Sequence, residues 1–177
     1  IYQFDENKNV FKQVKVPFQN KSRSGNLDIR TLFEDSKNRL WAGTNYGLWK
    51  KQNETWDEIE IKNDFNHPIR YITEAPDSSL WMATNGGGII HYDNNDIEIY
   101  DENKGLSSNL IRSIYIDITE DSSHYILYVG SEDLGLNRII IRNGNPQWGN
   151  HTVFTKNNGL YSNGVHQIIE DDRDRLW

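Results

Sequence analysis

The chain has no cysteine. Disulfides and thiolate metal centres are therefore excluded, and the absence suits a reducing cytoplasm and a bacterial periplasm equally. There is a single methionine, Met82, among 177 residues, so Ile1 is not expected to be a translation start. No signal peptide is visible in the first residues. No apolar run approaches the roughly 20 residues of a membrane helix, and no direct membrane insertion is expected. Basic side chains are in the minority, 19 against 26 acidic, giving a formal charge of −7. Nucleic acid is not expected as a partner, because phosphate binding calls for a basic face. Apolar residues make up only 36%, yet aromatics reach 12%, and ring side chains bury large areas with few residues. No segment shows a 3.6-residue apolar period, so no helix is expected.

What the chain has is a repeat. Residues 29–41 (IRTLFEDSKNRLW), 69–81 (IRYITEAPDSSLW) and 165–177 (VHQIIEDDRDRLW) align without a gap. A longer copy at 111–128 carries five extra residues and Tyr128 in place of Trp. The aromatic anchors Trp41, Trp81, Tyr128 and Trp177 stand 40, 47 and 49 residues apart, a period that marks a repeat architecture. The first copy reads as four strands: Ile29–Glu34, Leu40–Thr44, a third from Leu48, and 56–61. The second reads as Ile69–Glu74, Leu80–Thr84, 89–92 and 97–100. Polar turns at 35–39, 52–55 and 93–96 and a glycine turn at 45–47 separate them.

Four antiparallel strands per forty-odd residues predict an all-β fold, a β-propeller fragment of about four repeats with incomplete end blades. The expected organisation is a half-blade at 1–20, blades at 29–62, 69–101 and 111–156, and a half-blade at 165–177. A Trp on each second strand would fill the space between blades, with the small residues after it allowing close packing. Trp177 falls inside an expected strand, which points to a piece of a longer propeller. The alternative is a ring of four blades closed by the two half-blades.

The pattern resembles the two-component regulator propeller repeats, whose unit looks like G-L-x-S-N-x-V-x-x-I-x-x-D-x-x-G-x-L-W-x-G-T-x-x-G-L. Gly105–Asn109 (GLSSN) and Gly159–Asn163 (GLYSN) match its start. Asp35 and Asp171 match its Asp, and Leu40-Trp41, Gly43-Thr44 and Gly47-Leu48 match the remainder. Ala75 replaces the Asp in the second copy, and Asn38 and Asp174 replace the turn Gly. The resemblance implies a periplasmic sensor region of an inner-membrane hybrid two-component system. In that family two seven-bladed propellers precede a small all-β domain, a membrane span, and kinase and regulator parts. The outer region there responds to oligosaccharides from glycan breakdown. The implied partners are an oligosaccharide, which an acidic group would suit, the remaining blades and downstream sensor domain of the same chain, and a second copy in a homodimeric parent.

The sequence offers little catalytic chemistry. His67, His91, His124, His151 and His166 do not pair at ligand spacing, so no metal and no cofactor are expected. Asp101-x-Asn103-x-Gly105 and 93–96 read as Asx turns rather than calcium loops. Glu132-Asp133 is the one carboxylate pair near an expected pocket, as a propeller glycosidase or lyase would need; no catalytic residue is assigned. A non-enzymatic sensor is the first reading and a protein-interaction scaffold the alternative.

Binding residues are expected on one face, where the loops entering first strands (24–28, 66–68, 105–110, 159–164) meet the second-to-third-strand turns (45–46, 85–87, 132–134). Arg30, Arg70 and Arg112 hold the same repeat position, with His166 in the fourth copy. They are expected to ring a channel mouth or to tie each blade to carboxylates of the next. Asn45, Tyr46, Tyr71, Asn85, Asn109, Glu132, Asp133 and Asn163 complete the expected set, with Tyr161 nearby. Amides and hydroxyls match sugar hydroxyls, and rings stack on a pyranose.

Overall fold

The computed structural model describes residues 2–13, 27–53, 55–61, 65–118 and 124–177. Residues 14–20 of the expected first half-blade, the start of the loop at 24–28 and part of the third copy's insertion lie outside the described residues.

The chain opens with a hairpin, β1 (Tyr2–Asp5) and β2 (Val10–Gln13), which forms its own two-stranded sheet. Three larger sheets follow. The first is β3 (Ile29–Glu34), β4 (Leu40–Thr44), β5 (Gly47–Gln52) and β6 (Thr55–Ile59); the second is β7 (Ile69–Glu74), β8 (Leu80–Thr84), β9 (Ile89–Asp93) and β10 (Asp96–Tyr100). Both are antiparallel meanders in chain order. The third contains β11 (Ile111–Ile118), β12 (His124–Ser131), β13 (Leu136–Arg142), β14 (Asn145–Pro146) and β15 (Thr152–Phe154). Its fourth strand is split: β14 and β15 both pair with β13, and the single 3-10 turn Trp148–Asn150 lies between them. The longer third copy is explained here, because β11 and β12 run to eight residues each. Among the described residues there is no α-helix.

The fold is thus the expected all-β propeller fragment. In residues 165–177 the expected pairing is present in outline: the segment closes on itself through a bridge between Glu170 and Leu176 and paired bonds between Ile169 and Trp177. A two-stranded hairpin without further partners is marginal. The alternative of a shared end blade finds no support among the described residues, where β1 and β2 pair only with each other.

The sheets stack through their aromatic anchors. Trp41 packs among Leu48, Ile69, Ile72, Leu80, Met82 and Ile90, which joins the first sheet to the second. Trp81 does the same toward Ile111, Ile114, Tyr125 and Leu127 of the third. Both indoles are fully buried, and truncating such a ring costs about 3–5 kcal/mol. Tyr128, at the register position of the Trp, is half-buried against Tyr115.

A buried indole N–H needs an acceptor. Asp35 supplies it for Trp41 at 2.8 Å while its carboxylate also accepts from the Arg39 Nε at 2.6 Å and from the backbone N–H of Lys37 and Arg39. Asp171 repeats this set with Trp177 and Arg175. Ala75 cannot, and there the Trp81 Nε1 donates instead to the Tyr125 hydroxyl of the next sheet at 2.8 Å. The repeat's turn glycine also finds its reason. Asn38, Ser78 and Asp174 all sit at positive φ (56°, 65° and 56°), a region glycine enters without strain.

Candidate functional site

The Thr that ends each second strand shapes the binding-face turns. The Thr44 hydroxyl donates to the Gly47 carbonyl and accepts from Tyr46 N–H; Thr84 does the same with Gly88 and Gly87, and Ser131 with Gly135 and Leu134. Each turn is then stitched to the loop entering its own first strand. Asn45 N–H bonds the Asp28 carbonyl, Asn85 N–H the Pro68 carbonyl, and Glu132 N–H the Leu110 carbonyl. Loops and turns therefore share one face of the stacked sheets.

The next repeat closes over each turn. The Asn109 carbonyl accepts from Gly86 and Gly88, and the Asn163 carbonyl accepts from Gly135. Gly88 and Gly135 lie at positive φ, and a Cβ on either would come within about 2 Å of a backbone carbonyl, at 2.1 Å from Tyr100 and 2.0 Å from Phe154. The side-chain oxygens of Asn109 and Asn163 accept from Glu102 and Lys156 N–H, so the Ser-Asn motif serves first as a loop staple. Asp101 likewise caps the turn Glu102–Lys104. Among the described residues, no His, Asp and Glu group could hold a metal.

The expected residues divide into groups. Arg30, Arg70, Arg112 and His166 together line one cavity of about 460 Å³. Their strands β3, β7 and β11 run beside one another in sequence. Glu132 borders the mouth through its ion pair with Arg112, and that bond, with Arg112, Arg70 and His166 nearby, holds its carboxyl below the usual range. Asp133 accepts from the Ser108 hydroxyl at 2.8 Å. The Asn45 side chain accepts from Asp28 N–H at 2.8 Å, and Tyr46 is half-buried beside it. Asn85 bridges to Leu110. Tyr71 and Tyr161 are exposed, the latter almost completely.

No ion pair of these arginines crosses between sheets among the described residues. Ties between sheets come from elsewhere: Ser36 donates twice to Glu74 at 2.7 Å and Trp81 donates to Tyr125, while Tyr115 ties the third sheet to the last segment by donating to Glu170.

A second concavity of about 420 Å³ draws on the expected loop at 66–68, turn at 85–87 and Asn109, and adds residues that sequence reading did not single out. It is lined by Phe65, His67, Gly86, Gly87, Asp101, Lys104 and Asn109, among others. Phe65 and His67 meet edge to face at 5.3 Å, and a Cβ on Gly87 would strike both rings.

Comparison with known proteins agrees with this geometry. The family model described as two component regulator propeller matches residues 22–46. No curated protein matches the sequence closely enough to count as a relative. Among solved structures, the chain is similar to the extracellular domain of a hybrid two component system from B. thetaiotaomicron, with 22% identity and a TM-score of 0.66 over 85% of this chain and 20% of that one. It is also similar to the extracellular domain of a one component system from the same organism, with 19% identity and a TM-score of 0.53 over 99% of this chain and 30% of that one. Virginiamycin B lyase from Staphylococcus aureus gives 17% identity and a TM-score of 0.64 over 96% and 53%. This chain thus spans a fifth to about half of the proteins it resembles. At these identities the likeness is one of fold, and the family resemblance read from the repeats stands.

Proposed function

We propose that this chain is part of the ligand-sensing propeller of a hybrid two-component system, lying outside the cytoplasmic membrane and recognising an oligosaccharide released by glycan breakdown. The observation that carries the reading is the convergence of Arg30, Arg70, Arg112 and His166 on one cavity, at the face where entering loops and second-to-third-strand turns meet. That face offers amides, hydroxyls and the exposed ring of Tyr71, groups that suit sugar hydroxyls and pyranose faces. Binding requires no bond cleavage, and the carboxylates paired to the mouth among the described residues, Glu132 and Asp28, are engaged by Arg112 and Arg30. The protein would report occupancy to a kinase and regulator elsewhere in the same polypeptide. Calorimetric titration of the intact protein against neutral and acidic oligosaccharides tests this. Saturable binding of one glycan class is expected, and heats indistinguishable from dilution across the panel would overturn the reading.

A further inference from the structure

The same irregularity interrupts all three large sheets. Ladder partners step from Ile29–Thr44 to Thr31–Gly43, from Ile69–Thr84 to Tyr71–Ala83, and from Ile111–Ser131 to Ser113–Gly130. The residues passed over are Arg30, Arg70 and Arg112. A bulged residue leaves the in-and-out alternation of its strand, and its side chain is re-aimed. Three separate bulges thus turn three guanidinium groups toward one cavity. With His166 they line it, and among the described residues no acidic residue joins them there, on a chain whose net charge is −7.

Like charges gathered in one mouth repel unless something neutralises them. Arg112 has Glu132, and Arg30 faces Asp28 at 3.6 Å in the open. Arg70 stands between the two and has neither ion pair nor hydrogen bond among the described residues. Burial, and then the charges of Arg112 and Arg30, push its pKa down despite Glu132. The Nε of Arg112 is buried and also lacks a partner among the described residues. The mouth therefore holds a half-buried cation and, on the neighbouring arginine, a buried N–H donor without an acceptor. An oxyanion supplies both the charge and the acceptors they lack.

We propose that this mouth binds the carboxylate or sulfate group of an acidic sugar, held by Arg70 and the free Nε of Arg112, with Glu132 positioning Arg112. The sugar part rests on the sensor reading above; the anion part does not. Titration of the intact protein with sodium glucuronate, glucose 6-sulfate and glucose at one ionic strength separates them, the first two distinguishing carboxylate from sulfate. At least one anion is expected to bind while glucose does not, and affinity should fall as salt is raised. Arg70→Gln should weaken that binding by about tenfold or more, as loss of a charged hydrogen bond does; Arg70→Lys should retain part of it. Glucose binding as well as glucuronate, or unchanged affinity in an Arg70→Gln protein that melts like the parent, would overturn the inference. Should Arg70→Gln fail to fold, unchanged affinity in both Arg70→Lys and Arg112→Lys has the same force. If a neutral oligosaccharide binds in those cases, the sensor reading survives alone; if anions bind through Arg70 but no oligosaccharide does, the anion site survives alone.

Discussion

Replacing Asp35 with Ala removes four hydrogen bonds of unequal worth. The backbone N–H groups of Lys37 and Arg39 lie in an exposed turn and can return to water. The Arg39 side chain is a third exposed and can do the same. The Trp41 indole cannot, because it is fully buried and its Nε1 has Asp35 as acceptor. An orphaned buried donor costs about 1–3 kcal/mol, and the recoverable bonds add roughly 1 kcal/mol more. A loss of about 3 kcal/mol is expected for Asp35→Ala. Asp35→Asn keeps one acceptor oxygen and should cost about 1–2 kcal/mol. Urea titration followed by tryptophan fluorescence gives the midpoint shift at constant slope. Two variants serve as internal controls. Asp171→Ala breaks the same bond set around Trp177, whose ring is 67% exposed, and should barely move the midpoint. Tyr125→Phe orphans the Trp81 Nε1 and also removes the hydroxyl's bond with Ser79; it should cost about 1–3 kcal/mol, part of which Ala75→Asp should restore. A loss under about 1 kcal/mol for Asp35→Ala, or equal losses at Asp35 and Asp171, would refute the view that burial of the indole donor sets the value of this motif.

Burial pushes the Asp35 carboxyl up, but the bonds from Trp41 and Arg39 outweigh it and hold it below the usual range. Its contribution is therefore complete above the unfolded value near pH 4 and lost as pH falls through the folded one; urea midpoints in acid should converge for wild type and Asp35→Ala. Ser78→Gly should raise stability by about 0.5–1 kcal/mol, because Ser78 holds φ at 65° and glycine occupies that region without strain; a lower melting temperature would contradict it. His91 is buried, stacks on Trp81 at 4.3 Å, and has an Nε2 without a partner among the described residues. Burial depresses its pKa despite nearby carboxylates, so its contribution is present above the unfolded value near 6.5 and declines as pH falls. The drop in urea midpoint between pH 7.5 and 5.5 should shrink in His91→Gln, and an unchanged drop would exclude His91 as its cause.

The amino-acid sequence by itself determined the repeat, the strand order within each unit, and the anchoring role of Trp41 and Trp81. These rest on short-range chemistry: alternation along a strand, Asn or Gly where φ must be positive, and an aromatic too large to leave in water. Even the departures Asn38 and Asp174 marked the turn that needs glycine. It also placed Arg30, Arg70, Arg112 and His166 in one register, and left open whether they ring a mouth or tie neighbouring blades. Tertiary structure decided that the three arginines are bulged residues, because a bulge belongs to a pair of strands and has no signature in either alone. It decided that Trp81 donates to Tyr125, a residue 44 positions away, because the nearest acceptor to a buried donor is set by the neighbouring sheet. It turned Asn109 and Asn163 into loop staples and brought Phe65 and His67 over the glycine turn. It held 165–177, whose sequence repeats β3 and β4, to a single bridge between Glu170 and Leu176, because a two-stranded pairing with no third strand beside it is marginal.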